Sequence, residues 1–165
     1  MTDKTGYVLE RSFDAPPDLV WDAWTNETYQ PRWYGPGVET VIHSNDLRQG
    51  GQWLVEMTGE GWSAFQRADY LVVEPPERLV FLQGMADADW AIASNPKMPD
   101  WPRLMHTDIT FTGTGDGKTD MRLVWTPHEA GAAEIAFFTG ALDSMGQGWG
   151  MGMDILETLL AELQA

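Results

Sequence analysis

The stretch FTGALDSMGQGWGMGMDILETLLAEL, residues 138–163, decides the fold. Phe138, Leu142, Met145, Trp149, Met153, Leu156, Leu160 and Leu163 step through it by three and four residues. That spacing places them on one continuous stripe of an α-helix. The rest of the chain offers strands rather than a second helix of matching length, so the stripe must bury itself against a sheet. Gly146, Gly148, Gly150 and Gly152 fall in the middle of this helix, each costing about 1 kcal/mol relative to alanine. Either the backbone there packs very close to the sheet, or the missing side chains leave room beside Trp149. Both readings put Trp149 in the interior.

Working outward from the helix, the upstream chain alternates as strands do. Tyr7 to Phe13 reads as an opening strand, stopped by Asp14-Ala-Pro-Pro17, whose prolines suit the first turn of a helix where no N–H is missed. Val20, Ala23 and Trp24 share one face of that short helix. A second short turn begins at Thr25 and reaches Trp33-Tyr34-Gly35-Pro36, where glycine and proline end helical structure. Val38 to Ser44 is extended, and Arg48 to Gly51 makes a turn. Trp53, Val55 and Met57 then alternate with Gln52, Leu54 and Glu56, the period of a strand with one buried face. Phe65 to Val73 and Arg78 to Gly84 flank Glu74-Pro-Pro-Glu77, and Thr107 to Thr112 and Thr119 to Thr126 flank a glycine-rich turn. Between these pairs, Met85 to Arg103 carries Asn95, Pro96, Pro99 and Pro102 together with Trp90 and Trp101. A polar linker would not hold those tryptophans, so this is a loop folded back on the domain as a lid. The expected fold is α+β of the helix-grip kind: a curved antiparallel β-sheet wrapped around a long C-terminal α-helix, with two short helices after the first strand. Residues 1–165 have the length of one domain.

Composition bounds the function. The net charge of −15 repels phosphate backbones, which argues against nucleic acid and anionic membrane as partners. No run approaches the ~18 apolar residues of a membrane helix, and the N-terminus shows no signal-peptide pattern, so a cytoplasmic location is expected. The absence of cysteine excludes disulfides, thiolate metal sites and a cysteine nucleophile. Nine tryptophans and nine methionines either fill a core or line a cavity.

Motifs that suggest chemistry fail on spacing. Gly113-Thr-Gly-Asp-Gly-Lys-Thr119 has Thr112 where a phosphate loop needs its first glycine, and it leads into a strand rather than a helix. It reads as a hairpin turn. His43, His106 and His128 are scattered, and Ser63, Ser94 and Ser144 lie in no nucleophile elbow. Asp87 and Asp89 are too few oxygens for a hard cation. The residues point to no catalytic set, no metal and no cofactor.

Several segments in order carry a resemblance: ERSFDAPPDLVWDAWT at 10–25, RWYGP at 32–36, LRQGGQW at 47–53, VEPPERLV at 73–80, WPR at 101–103, Lys118-Thr119 and Gly148-Trp149. The chain resembles the activator of heat shock protein 90 ATPase homologue-like family of the SRPBCC, or START/Bet v 1-like, superfamily. The resemblance runs from about Gly6 to the C-terminus and implies the same helix-grip fold. Members of that superfamily carry lipids, hormones and polyketides, and a minority are cyclases or hydrolases. The family has no shared catalytic set to carry over.

Alternation turns Trp53, Val55, Phe81, Ile109, Phe111, Leu123 and Trp125 inward, facing Met145, Trp149 and Met153. Trp33, Trp90 and Trp101 are expected to close the mouth, and His106 or Tyr70 to supply a polar group. The expected ligand-binding set is therefore Trp33, Trp53, Phe81, Trp101, His106, Trp125, Met145, Trp149 and Met153. The leading expectation is a non-enzymatic binder of a small hydrophobic or aromatic molecule held between sheet and helix. Two alternatives stand beside it: an enzyme of the polyketide cyclase or hydrolase type using the same cavity, and a co-chaperone-like interaction module. A homodimer is compatible with the sequence, and the family name admits heat shock protein 90 as a partner without requiring it.

Overall fold

Strand alternation and turn chemistry generate seven strands and four helices in the computed structural model, which describes residues 6–35, 37–94 and 96–165. Residues 1–5, Pro36 and Asn95, which bear on the N-terminal, turn and loop expectations, lie outside the described residues. The order is β1 (Tyr7–Phe13), α1 (Pro17–Thr25), α2 (Gln30–Trp33), β2 (Glu39–Asn45), β3 (Gln52–Gly59), β4 (Trp62–Glu74), β5 (Arg78–Ala86), β6 (Met105–Gly113), β7 (Thr119–Pro127), α3 (Ala132–Gly140) and α4 (Leu142–Leu163). All pairings are antiparallel, and the open sheet runs β1-β7-β6-β5-β4-β3-β2. The turn between β6 and β7 is a hairpin with Gly115 and Gly117 at positive φ, which is why that glycine cluster exists.

Register fixes which side chains meet the helix, because successive residues of a strand point to opposite faces. One transverse row pairs Tyr70 with Phe81, Phe81 with Thr107, Thr107 with Trp125 and Trp125 with Tyr7. The next pairs Leu79 with Ile109 and Ile109 with Leu123. These rows form the concave face, and Phe81, Ile109, Leu123 and Met121 are almost completely buried on it. Register shifts between Ile42 and Ser44 and between Tyr70 and Val72 bend the sheet, as bulges do.

The C-terminal part of α4 closes the core with Met153, Leu156, Leu159 and Leu160, all buried. At roughly 1.5–3 kcal/mol per large apolar side chain buried, this segment anchors the helix. Charged ties at its flank add little by comparison: Arg11 of β1 reaches Asp154 at 2.7 Å and Glu157 at 2.9 Å, and Arg32 pairs with Glu162. The corner formed by α1 and α2 is held by polar side chains on main-chain carbonyls. Trp33 Nε1 donates to Ala23 O at 2.9 Å, and Gln30 Nε2 donates to Trp24 O at 3.0 Å.

Two expectations need correction here. The apolar stripe is not one helix: Phe138 belongs to α3, and the chain leaves the helical region at Ala141 (φ −99°, ψ 4°) before α4 begins. Gly140, with its low helix propensity, immediately precedes the break, and Phe138 turns instead onto Trp101 and Trp125. The loop after β5 does fold back, but Trp90 lies away from the concave side. It packs edge-on to Phe65 and His43, and its carbonyl accepts a hydrogen bond from Arg67. Phe65 and Arg67 have the register parity opposite to Gln66, Ala68 and Tyr70, so Trp90 covers the convex face.

Candidate functional site

Between the concave face and the first half of α4 lies a pocket of about 340 Å³. Its walls come from five places: Trp33, Tyr34 and Gly35 at the end of α2; Met57 on β3; Gln66 on β4 with Gln83 on β5; Trp125 on β7; and Met145, Gly148, Trp149, Gly152 and Met153 on α4. The surface is mainly aromatic and thioether, with one polar cluster.

The roof explains the helical glycines. Met145, Gly148, Trp149, Gly152 and Met153 occupy positions i, i+3, i+4, i+7 and i+8, one face of the helix. A Cβ at Gly148 or at Gly150 would meet nothing within 4 Å, and one at Gly146 would reach Tyr7 Oη only at an ordinary 3.6 Å. At these three positions the glycines do not serve close backbone packing. At Gly148 the missing side chain leaves open space beside Trp149. The Trp149 ring is half-buried, stacked on Trp24 (6.3 Å between centroids, 24° between planes) and edge-on to Trp125 (5.8 Å, 82°).

Tyr34 reaches the pocket because the chain turns sharply after it. Gly35 has φ +70°, and a Cβ there would come within 2.9–3.0 Å of Thr40, Met57 and Val38. Only glycine fits such a turn. The Tyr34 hydroxyl donates to Gln66 Oε1 at 2.5 Å, while Gln83 Nε2 donates to Tyr34 Oη at 2.7 Å and to Gln66 Oε1 at 3.1 Å. Burial pushes the Tyr34 phenol up to about 12, against a smaller downward pull from Gln83. At neutral pH the phenol is a fixed, uncharged donor, and among the described residues no Asp, Glu, His, Lys or Arg lines the pocket.

Of the expected ligand-binding residues, Trp33, Trp125, Met145, Trp149 and Met153 meet in this pocket. Trp53 and Phe81 are buried one layer behind: Trp53 packs on Tyr34 at 5.2 Å, and Phe81 packs on Trp53 at 5.8 Å. Trp101 packs on Trp125, Phe137 and Phe138, outside the pocket lining. His106 is on the other side of the sheet, which corrects its expected place among the ligand contacts. Its neighbours in register are Leu82 and Thr126, whereas the concave row runs through Phe81, Thr107 and Trp125. There it stacks near His128 at 6.5 Å, and burial lowers its pKa. Tyr70 is core, its hydroxyl donating to Asn45 Oδ1 at 2.7 Å and its pKa pushed up by burial.

Sequence reasoning missed Tyr34, Met57, Gln66 and Gln83 as lining residues, and took Gly35 only as a helix stop. A signal for the glutamines was present. Gln66 shares parity with Ala68 and Tyr70, and Gln83 shares parity with Phe81, so each is a polar residue on an otherwise inward-facing row.

Comparison with known proteins follows the same lines. The family model described as Activator of Hsp90 ATPase homolog 1-like protein matches residues 14–161. Among solved structures, protein Ms6760 from Mycobacterium smegmatis is 24% identical with a TM-score of 0.77, over 97% of this chain and 93% of that one. A protein from Arthrobacter aurescens is 21% identical with a TM-score of 0.80, over 98% and 89%. DynU16, a protein of the dynemicin biosynthetic locus, is 20% identical with a TM-score of 0.64, over 95% of this chain and 47% of that one. At these identities the likeness is one of fold. No functionally curated protein matches the chain significantly. No helix among the described residues is long and apolar enough to cross a membrane.

Proposed function

The chain belongs to the Activator of Hsp90 ATPase homolog 1-like family, and from that premise we propose that it binds a small hydrophobic or aromatic molecule between the sheet and α4. The observation that carries this reading is the open volume beside Trp149, lined by the rings and thioethers of the sheet and α4 and reached past the exposed Gly148. Trp149 and Trp125 offer ring faces and edges to a flat ligand, while Met57, Met145 and Met153 adapt to its outline. The volume falls at the lower end of the roughly 300–1,000 Å³ of small-molecule sites, which suits a compound of two or three rings. Among the lining residues the one titratable group is the Tyr34 phenol, held neutral well above physiological pH. Among the described lining residues no group carries a proton near pH 7, which favours holding a ligand over transforming it.

The test has two arms. Protein purified natively is denatured, and the released small molecules are identified by mass spectrometry, with an apolar compound near one equivalent expected. Separately, binding of 2-methylnaphthalene is followed by quenching of tryptophan emission in wild type, Trp149→Ala and Gly148→Trp. Loss of one stacking face should weaken binding about tenfold or more, and the Gly148→Trp side chain should block the pocket. A folded Gly148→Trp protein that binds the probe as wild type does would refute the placement.

A further inference from the structure

Resting on this pocket reading, we propose that the pocket selects uncharged ring compounds bearing a carboxamide or lactam edge and discriminates against carboxylates of the same shape. The argument starts from the closed ring of hydrogen bonds among Tyr34, Gln66 and Gln83. In that ring Gln66 uses its carbonyl oxygen and Gln83 its amide nitrogen. What remains is the Gln66 NH₂, a donor, and the Gln83 carbonyl, an acceptor. Neither has a protein partner among the described residues, and neither is among the buried atoms left unpaired. Both side chains line the pocket. Turning both amides over preserves the logic: the ring then uses the Gln66 nitrogen and the Gln83 oxygen, and one donor and one acceptor again remain.

A carboxamide or lactam carries the complementary pair, an acceptor carbonyl beside an N–H. A carboxylate carries two acceptors, so one of its oxygens would face the lone pairs of a glutamine carbonyl. It would also bring a charge into a site lined by no cation among the described residues, where an unpaired charge is strongly disfavoured. The field of a chain of net charge −15 acts in the same direction. Tyr34 is a positioning residue here, since its hydroxyl fixes both glutamines while the ligand meets their free ends.

Three probes of one shape test the idea at pH 7.5 on the full chain: 2-naphthamide, 2-naphthoate and 2-methylnaphthalene. The expected result is that 2-naphthamide binds at least tenfold tighter than 2-naphthoate and also tighter than 2-methylnaphthalene. In the Gln66→Leu/Gln83→Leu protein the amide should lose its advantage over 2-methylnaphthalene, read as the ratio of the two affinities in that protein. Tyr34→Phe should reduce the amide preference, read as the ratio of 2-naphthamide to 2-methylnaphthalene affinity in the same protein. Equal or tighter binding of 2-naphthoate by wild type overturns the proposal. So does an amide preference that survives in the folded double-leucine protein, with Gln83→Met as the milder variant if that protein does not fold. Binding of 2-methylnaphthalene without any amide preference refutes the selectivity alone. Failure of all three probes to bind refutes the pocket reading and the selectivity together.

Discussion

Replacing Gly148 and Gly150 by alanine should stabilise the protein. Both lie inside α4, and an alanine Cβ at either meets nothing within 4 Å. The substitution therefore costs no clash and no strain, and it removes the backbone freedom that glycine must give up on folding. Host–guest values put the gain at about 0.8–1.0 kcal/mol per site, so about 2 kcal/mol for the pair. In a domain of this size 1 kcal/mol moves Tm by roughly 2–4 °C, and the double variant should melt about 4–8 °C higher. Thermal and urea unfolding followed by circular dichroism provide the measurement, with both single variants to check additivity. Unchanged or lowered stability in both single variants would refute the reasoning, because it would mean that the glycine backbones are needed for something other than vacancy. The same variants bear on function. A stiffer roof over the pocket should slow release of bound 2-methylnaphthalene in a displacement experiment.

Other expectations follow from the site and its surroundings. The Tyr34 phenol stays protonated in the folded chain up to about pH 12 but ionises near 10 when unfolded; the unfolded state then binds fewer protons, and stability falls above pH 10 by about 1.4 kcal/mol per unit from this group. Tyr34→Phe should lessen that slope in urea titrations at pH 9.5 to 11.5, and the slope that persists includes Tyr70 and Tyr7, whose phenols burial also pushes up. Trp149→Ala should destabilise by about 3 kcal/mol, toward the lower end for tryptophan truncation because the ring is only half-buried, as read by urea unfolding. His106→Ala should leave probe affinity within about twofold of wild type, since the ring sits on the far face of the sheet; a tenfold loss would contradict that placement.

The strands were legible because alternation is a local property. Trp53, Val55 and Met57 against Gln52, Leu54 and Glu56 declare a half-buried strand without knowledge of its neighbours. The α4 stripe was legible for the same reason, although its start was not: the break at Ala141 depends on Phe138 finding Trp101 and Trp125, a tertiary contact. His106 shows a failure of a different kind. Alternation turns Ile109 and Phe111 inward, and the same parity sends His106 outward, whatever chemistry an imidazole could offer. The polar cluster was hidden because its members lie at 34, 66 and 83 in sequence, and only strand pairing and the turn at Gly35 bring them within hydrogen-bonding distance.

What the helix says about function is contained in a contrast between its two halves. From Met153 onward the buried positions Met153, Leu156, Leu159 and Leu160 carry large apolar groups, as a helix needs in order to seal against a sheet. Upstream, the pocket-facing positions read Met145, Gly148, Trp149, Gly152, Met153, large and small in alternation. A larger residue at 148, where a Cβ meets nothing within 4 Å, would raise helix propensity, so stability alone would favour it. The chain instead gives up about 1 kcal/mol of propensity at Gly148 and leaves the Trp149 ring beside open space. Opposite that ring it sets a tyrosine and two glutamines bonded to one another, which keeps a donor and an acceptor in place. Both arrangements are what the proposed binding of a flat, uncharged guest would use.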